Sequence, residues 1–244
     1  GVLKMFSYDA YLRYMLPFRD MLVGYREALN SCEFAISRHD VEFDTHRALE
    51  MAKIENKAGI KSTYFFQVRS DAYNLASIEN KEILFEIMGM GHEVGLHMYL
   101  SHFSKYEDSA FKREMRLQKK ILSELIEKPV DSFSVHRPKP WFLEIREDVI
   151  GSMINAYGPS FFEYVEQPKD IKYFADSTHQ WNYGEPQFID GVTKYQILTH
   201  PDEWFEFPNE VEKNYHLTYK AHCDRFNKTL MSENKRFNNF GLIK

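Results

Sequence analysis

The stretch that decides the fold class is CEFAISRHDVEFDTHRALEMAKIENKAGIKSTYFFQV, residues 32–68. Its first part, residues 32–40, is an apolar run that ends in polar residues, which is typical of a buried strand. Residues 44–58 have helical spacing, with Asp44 placed to cap the helix and Gly59 to end it. Residues 61–68 are rich in threonine and aromatic residues, which predicts a second strand. A strand, a helix and a second strand indicate parallel strands joined by a right-handed crossover.

The same alternation continues along the chain. We predict helices over 78–90, 107–128 and 209–227, and strands over 93–99, 132–136, 171–175 and 194–199. Six or more strand–helix units in roughly 200 residues favour an α/β architecture, a distorted (β/α) barrel. We expect a single domain over 1–244, in which residues 32–204 form the barrel core and the N- and C-terminal extensions pack on it.

Composition excludes several function classes. The 244 residues carry 31 Lys and Arg against 36 Asp and Glu, a net charge of −5, which argues against binding to nucleic acid or an anionic membrane. No apolar run approaches the length of a membrane-spanning helix. Two cysteines cannot form a disulfide framework, so we expect reduced thiols and a cytoplasmic location.

The first polar cluster follows the first predicted strand. Asp40 and Glu42 are one residue apart in extended chain, so their carboxylates point to the same side. One could bind a metal ion while the other accepts a proton. The alternative is a strand end that passes into the helix cap at Asp44.

The second cluster is GHEVGLHMYLSH, residues 91–102, which holds three histidines. Neutral imidazole is a frequent ligand of zinc and related ions. A site with three protein ligands and an open position suits a hydrolytic metal. His92, His97 and His102 are therefore candidate ligands, although a histidine with a satisfied packing role would show the same spacing.

Further polar residues follow later strands. Arg137 and Asp176 could pair structurally or hold a catalytic carboxylate in place. His200 ends an apolar run and precedes Pro201, where it could be a general acid or a turn residue. Three tryptophans each lie just beyond one of the polar clusters, at Trp141, Trp181 and Trp204. Aromatic rings around a polar cleft suit a sugar, so these three are candidate substrate-binding residues, with core packing as the alternative.

Six segments in this order resemble the polysaccharide deacetylases of carbohydrate esterase family four, the NodB-homology domain. The resemblance is narrower to the WbmS-like branch linked to bacterial surface-polysaccharide genes. The segments are RHDVE (38–42), TYFF (63–66), GHEVGLH (91–97), HRP (136–138), Asp176-Ser177 with Trp181, and LTHP (198–201). They span residues 38 to about 204, roughly two thirds of the chain.

The resemblance implies one divalent metal ion, most often zinc, with cobalt, nickel or iron as alternatives. Glu42 stands where the family has its carboxylate ligand, and His97 where it has its first histidine. The family usually spaces its histidines four apart, whereas His97 and His102 are five apart, as are His92 and His97. We favour His102 over His92 as the second histidine ligand. Asp40 replaces Glu42 as ligand if the motif shifts by one residue, in which case His39 faces the water.

The resemblance also implies catalytic roles. Asp40 would be the base that deprotonates a metal-held water, and Arg137 would orient that base. Asp176 would support His200, the acid that protonates the departing amine. Glu42 stands where the family usually has aspartate, and the extra methylene could retune the metal geometry or abolish metal binding.

These features predict a metal-dependent hydrolase that removes an acetyl group from an N-acetylated sugar in surface-polysaccharide (O-antigen-like) biosynthesis. The substrate would be a carbohydrate, or a nucleotide- or lipid-linked sugar, and a homo-oligomer is possible. Two alternatives stay open: a catalytically degenerate barrel that binds carbohydrate, and an amidohydrolase that acts on a non-sugar C–N bond.

Overall fold

A curled eight-stranded sheet forms the centre of the molecule in the computed structural model, which describes residues 6–100, 103, 105, 107–166 and 170–233. The strands are β1 Phe34–Val41, β2 Thr63–Phe66, β3 Glu93–Tyr99, β4 Ser132–His136, β5 Val149–Ile150, β6 Met153–Asn155, β7 Ile171–Ala175 and β8 Lys194–Thr199. Their order is β5-β6-β4-β3-β2-β1-β8-β7. Every neighbouring pair is parallel except the short β5–β6 hairpin. The predicted distorted (β/α) barrel is confirmed.

Seven α-helices accompany the sheet in the described part of the chain. They are α1 Tyr8–Met15, α2 Tyr25–Ala28, α3 Thr45–Ala58, α4 Ile78–Gly89, α5 Asp108–Ile126, α6 Pro140–Leu143 and α7 Val211–Glu233. As predicted, the Asp44 side chain accepts the backbone N–H of His46 at the start of α3, at 2.9 Å. Gly59 ends that helix with a φ of 70°, a left-handed conformation that glycine adopts without strain.

Alternation along β1 builds two apolar cores. Phe34 and Ile36 point into the curled sheet, where they pack with Tyr25 and Phe65. Ala35 and Val41, on the opposite face, belong to the larger core between the sheet and its helices. Successive side chains of a strand alternate between faces, so one strand supplies both layers. The inner face of β1 therefore carries every second residue upward from Phe34 to the carboxyl end of the barrel.

The interior of the barrel is tightly filled below the site. A side-chain carbon at Gly95 in β3 would lie 2.4 Å from the ring of Phe65 and 3.1 Å from the hydroxyl of Ser132. Glycine is thus required there because the neighbouring strand sends a phenyl ring across the interior. Tyr25 also donates a hydrogen bond to Gln196, which fixes the lower end of β8.

A polar cluster lies buried on the outer face of β1. The carboxylate of Glu55, from α3, is completely buried and accepts hydrogen bonds from side chains of α1, β1 and β2. The donors are Tyr11, His39 at 2.9 Å, Ser62 at 2.5 Å and Tyr64 at 2.5 Å. Because a buried charge is tolerated only when its hydrogen bonds are satisfied, this cluster pins α3 to the sheet in one register.

The strands over 93–99, 132–136, 171–175 and 194–199 are confirmed with the bounds predicted. The sequence reading omitted the helices before residue 30 and the β5–β6 hairpin. The chain before β1 contacts the barrel through the backbone, since Tyr8 donates to the carbonyl of Phe205 at 2.9 Å and Val23 to that of Ala35 at 3.0 Å. The single domain over 1–244 stays a prediction. No helix in the described ranges is both long and apolar enough to cross a bilayer.

Candidate metal centre and active site

Three polar side chains stand one above another on the inner face of β1, namely Arg38, Asp40 and Glu42. The guanidinium of Arg38 donates two hydrogen bonds to Asp40, from Nε to Oδ1 at 3.0 Å and from Nη2 to Oδ2 at 2.7 Å. Arg38 is completely buried and also donates to the hydroxyl of Tyr157 at 3.0 Å. Such a bidentate pair fixes a carboxylate in position and orientation.

Arg38 also keeps Asp40 ionised. Burial alone would raise the pKa of Asp40, but the charge of Arg38 outweighs it and holds that pKa below its ordinary value, with help from the charge of His200. Asp40 also accepts the hydroxyl of Ser134, from β4, at 3.0 Å. The carboxylate is therefore available as a proton acceptor over the whole neutral pH range.

Ser134 connects Asp40 to His97 of β3. Its hydroxyl donates to Asp40, so it accepts from His97, whose Nδ1 lies 2.7 Å away. This arrangement places the ring proton of His97 on Nδ1 and leaves a lone pair on Nε2. His97 is completely buried, and its Nε2 has no hydrogen-bond partner among the described residues.

The free nitrogen of His97 faces a carboxylate and a second histidine. Its Nε2 lies 3.5 Å from Oε1 of Glu42, and Nδ1 of His136 lies 2.7 Å from the same oxygen. One ligand atom from each of these three residues lies within 4.8 Å of the other two. Burial would raise the pKa of Glu42, but the hydrogen bond from His136 and the charge of His200 lower it. Glu42 is thus a carboxylate poised between nitrogen donors.

The donor set fits a divalent transition metal. One carboxylate and two imidazoles are a common ligand set for catalytic zinc, and they leave positions open for water and substrate. The orphaned, buried Nε2 of His97 supports this fit, because a buried polar atom without a partner is costly. Glu42, His97 and His136 would hold the ion.

A second ion pair stands beside this centre. Asp176, at the end of β7, is completely buried and accepts from His200, at the end of β8, at both the ring Nδ1 (2.6 Å) and the backbone N–H (3.0 Å). Burial disfavours a charged imidazole, but the charge and hydrogen bond of Asp176 outweigh it and raise the pKa of His200 to about 10. Nε2 of His200 therefore carries a proton at neutral pH, 3.8 Å from Oε1 of Glu42.

A cleft of about 440 Å³ opens above these groups. Asp40, Glu42 and His200 form its floor, and aromatic side chains contribute to its walls. The wall rings are Phe43, Tyr157, Phe162, Tyr173, Tyr183 and Tyr215. Its volume lies within the range usual for small-molecule sites, and rings beside a polar floor suit a sugar.

His92, one of the predicted metal ligands, lies away from the candidate metal centre. His92 is held by the backbone, with Nδ1 accepting the N–H of Ser62 at 3.3 Å and Nε2 3.2 Å from the carbonyl oxygen of Ala52, so both ring nitrogens are engaged away from the centre. His102 lies outside the described residues. Within the described ranges, the histidine that joins His97 is His136.

The alternative in which Asp40 replaces Glu42 as metal ligand and His39 faces the water has no support in the geometry. His39 is completely buried on the outer face of β1, between Glu55 and the hydroxyl of Thr199. It does not face water. Glu42, rather than Asp40, stands in the group of candidate ligands.

Arg137 was expected to orient Asp40, and the structure brings Arg38 to that position instead. Arg137 follows β4, is exposed, and lines the cleft. It makes no hydrogen bond or ion pair with Asp40 among the described contacts, so its predicted role stays a prediction without geometric support.

None of the three predicted tryptophans lines the cleft within the described chain. Trp204 is completely buried, and its indole nitrogen donates to Oδ2 of Asp176 at 2.7 Å. Trp181 is partly buried and packs against Phe6 and Trp204. Trp141 packs against the aromatic residues around α5 and α6. The buried ring of Trp204 does not reach a ligand, whereas substrate binding by Trp141 and Trp181 stays a prediction.

Sequence reasoning missed four residues of the site: Arg38, Ser134, His136 and Tyr157. Arg38 shares the two-residue spacing of Asp40 and Glu42, which was a usable signal. Ser134 and His136 pair in register with His97 and Tyr99 of the neighbouring strand. That register is a property of the assembled sheet.

Comparison with known proteins gives similarity at the level of structure. No family model and no curated protein sequence matches the chain. Solved structures do. The chain resembles carbohydrate esterases of family four. The Xyl-CE4 domain of a multidomain xylanase from the hindgut metagenome of Trinervitermes trinervoides is 11% identical, with a TM-score of 0.44 over 81% of this chain and 84% of that one.

Two further solved structures have similar sequence identities and TM-scores to this chain. The chitin deacetylase of the fungal pathogen Colletotrichum lindemuthianum is 14% identical, with a TM-score of 0.44 over 77% of this chain and 81% of that one. A pseudoenzyme of the same family from Bacillus anthracis is 13% identical, with a TM-score of 0.42 over 79% of this chain and 61% of that one.

Proposed function

We propose that the protein is a metal-dependent deacetylase that hydrolyses the acetamido group of an N-acetylated sugar. The observation that carries the proposal is that two histidines, His97 and His200, converge on the carboxylate of Glu42. Oε1 of Glu42 lies 3.5 Å from the free Nε2 of His97 and 3.8 Å from the protonated Nε2 of His200. The free nitrogen of His97 and the proton donor of His200 thus lie close to the same oxygen of Glu42, a residue that lines the cleft.

The cation would be held by Glu42, His97 and His136, and zinc suits these donors best. When bound, such an ion polarises an acyl carbonyl and lowers the pKa of a water molecule to near neutrality.

Proton transfer falls to two residues with opposite charge states. Asp40 is ionised, so it can accept a proton from the attacking water as the C–O bond forms. His200 is protonated, so it can donate a proton to the nitrogen as the C–N bond breaks, which yields acetate and an amine. Two groups held in opposite charge states at the same pH are what hydrolysis of an amide requires.

Two residues act through these groups. Arg38 keeps Asp40 ionised and fixed, and Asp176 keeps the proton of His200 on the nitrogen that faces the cleft. Trp204 adds a hydrogen bond to Asp176, which leaves that carboxylate fully satisfied in its buried position. We also propose, on the motif resemblance, that the setting is surface-polysaccharide synthesis in the cytoplasm.

The test is acetate release from N-acetylated mono- and oligosaccharides by protein loaded with zinc, compared with His200→Ala. His216→Ala is the matched control, since His216 is exposed on α7 and absent from the cleft. We expect His200→Ala to reduce kcat at least 100-fold and the control to retain it. Sugar binding without acetate release by the parent would favour the carbohydrate-binding alternative. Release from non-sugar amides alone would favour the amidohydrolase alternative.

A further inference from the structure

Arg137 holds an unusual backbone conformation at the mouth of the cleft. It directly follows β4, and its φ is 50°, in the left-handed region that residues with side chains seldom adopt. Such strain persists only where the surrounding structure imposes it, and it concentrates at functional sites. Pro138 follows Arg137 and also lines the cleft, so this strained turn forms part of the cleft wall.

The side chain of Arg137 has no counter-ion in the described chain. It is exposed, and neither hydrogen bonds nor ion pairs join its guanidinium to a described residue. The contact with Asp40 that would have occupied it is made by Arg38. The guanidinium of Arg137 is therefore available to a ligand.

None of the carboxyl groups of the cleft pairs with Arg137 among the described contacts. Three of the cleft's four carboxyl groups are hydrogen-bonded to other side chains: Asp40 to Arg38, Glu42 to His136, and Glu203 to His179. For the fourth, burial and the neighbouring charge of Glu203 raise the pKa of Asp202 to about 8, so it is mainly uncharged at neutral pH. Among the cleft residues that the structure describes, Arg137 is the only arginine or lysine.

We infer that Arg137 binds an anionic group, a carboxylate or a phosphate oxyanion, carried by the sugar substrate next to its acetamido group. This inference rests on the proposed function for the identity of the ligand as a sugar. The planar guanidinium matches the two oxygens of either anion, which gives a charge-assisted and directional contact. The substrate would then lie with its acetamido group over Glu42 and His200 and its anion at the rim.

The experiment compares three ligands that differ in one group: N-acetylglucosamine, its 6-carboxylate (the uronic acid) and its 1-phosphate. Dissociation constants are measured by calorimetry on the full chain with a chelator present, so that no turnover consumes the ligand. We expect the parent protein to bind one of the two anionic ligands at least tenfold more tightly than the neutral sugar. The ligand that is preferred identifies the source of the anion.

Variants of Arg137 separate recognition from folding. Arg137→Gly should abolish the preference while keeping or raising the melting temperature, because glycine adopts a φ of 50° without strain. Arg137→Lys should retain part of the preference as a point charge. Arg116→Gln, an exposed arginine of α5 away from the cleft, is the matched control and should leave the preference intact.

A parent protein with no preference for either anion, or an Arg137→Gly variant that keeps the preference, would overturn the inference. The readout is binding, so it does not depend on catalysis. If the anion preference is present but no acetate is released from any sugar, the proposed function fails while the role of Arg137 stands.

Discussion

Replacement of Arg38 by methionine removes one partner of a completely buried ion pair. Asp40 would lose two hydrogen bonds, of 3.0 and 2.7 Å, and would keep the one from Ser134. Loss of one partner of a buried pair costs about 3–5 kcal/mol, because the remaining charge stays buried without compensation. We expect the free energy of unfolding at pH 7 to fall by that amount, as measured by urea denaturation.

The pH dependence gives the loss a signature. In the parent protein the pKa of Asp40 is lower in the folded than in the unfolded state, so the pair stabilises the fold above a pH of about 4 and loses that contribution as the pH falls through the folded pKa. In Arg38→Met, burial without compensation places the folded pKa above the unfolded value. The difference in stability between the two proteins should therefore shrink as the pH is lowered toward 3.

Two controls distinguish loss of the buried ion pair from a general effect of removing an arginine. Arg26 and Asp131 form an ion pair of 2.7 Å between side chains that are 70% and 43% exposed. Arg26→Met should cost no more than about 1 kcal/mol, because solvent screens an exposed pair. The double variant Arg38→Met/Asp40→Asn should recover part of the loss, because no unpaired charge remains. A loss below about 1 kcal/mol in Arg38→Met, or a loss that is constant with pH, would refute the reasoning.

Three further predictions concern other charged and strained positions. Burial opposes ionisation of Glu55, but His39 and its other partners lower the pKa of Glu55 to about 2. Glu55→Gln should therefore reduce the free energy of unfolding by about 3 kcal/mol at pH 7, measured by urea denaturation, and the difference from the parent should vanish as the pH falls from 4.5 to 2. A difference that stays constant with pH would contradict the lowered pKa of Glu55. Asp176→Asn should lower the pKa of His200 and move the alkaline limb of the kcat–pH profile down by at least one unit; an unmoved limb would exclude His200 as the acid. Arg137→Gly should raise stability by about 1 kcal/mol, or about 2–4 °C in Tm by calorimetry, and a lower Tm would contradict strain at φ 50°.

Much of the barrel was predictable because its signals are local. In the strand over 93–99, every second residue is apolar, and the strand follows a helix. Its bounds were predicted correctly. The helices before β1 were missed because their first stretch, residues 8–21, mixes charged and aromatic residues without clear breaks. Their position depends on contacts with β1 and the loop after β8, which no local pattern contains.

The site was predictable where one strand supplies its residues and less so where several meet. Asp40 and Glu42 follow from the two-residue spacing at the end of β1, and so would Arg38 if that spacing were extended one step back. His136 joins the candidate ligands because parallel pairing places Tyr99 beside it and His97 beside Ser134. The family resemblance favoured His102 over His92, although both are five residues from His97. His136 was not considered, because the register between strands cannot be read from local sequence.

The buried role of Trp204 was also beyond local reasoning. An indole beyond a polar strand end suggested a sugar platform. Its ring instead lies in the core, because the short 3-10 turn over Pro201–Glu203 directs it inward, where it donates to Asp176. Only the assembled structure shows that the indole of Trp204 donates to Asp176, the carboxylate that raises the pKa of His200.

Elemental mass spectrometry of untagged protein equilibrated with micromolar zinc tests whether Glu42, His97 and His136 hold a divalent metal. We expect about one zinc per chain in the parent and in the control His216→Ala, and loss of the metal in His136→Ala. A parent protein that binds no metal would contradict this expectation. So would full metal retention by His136→Ala together with loss in His102→Ala.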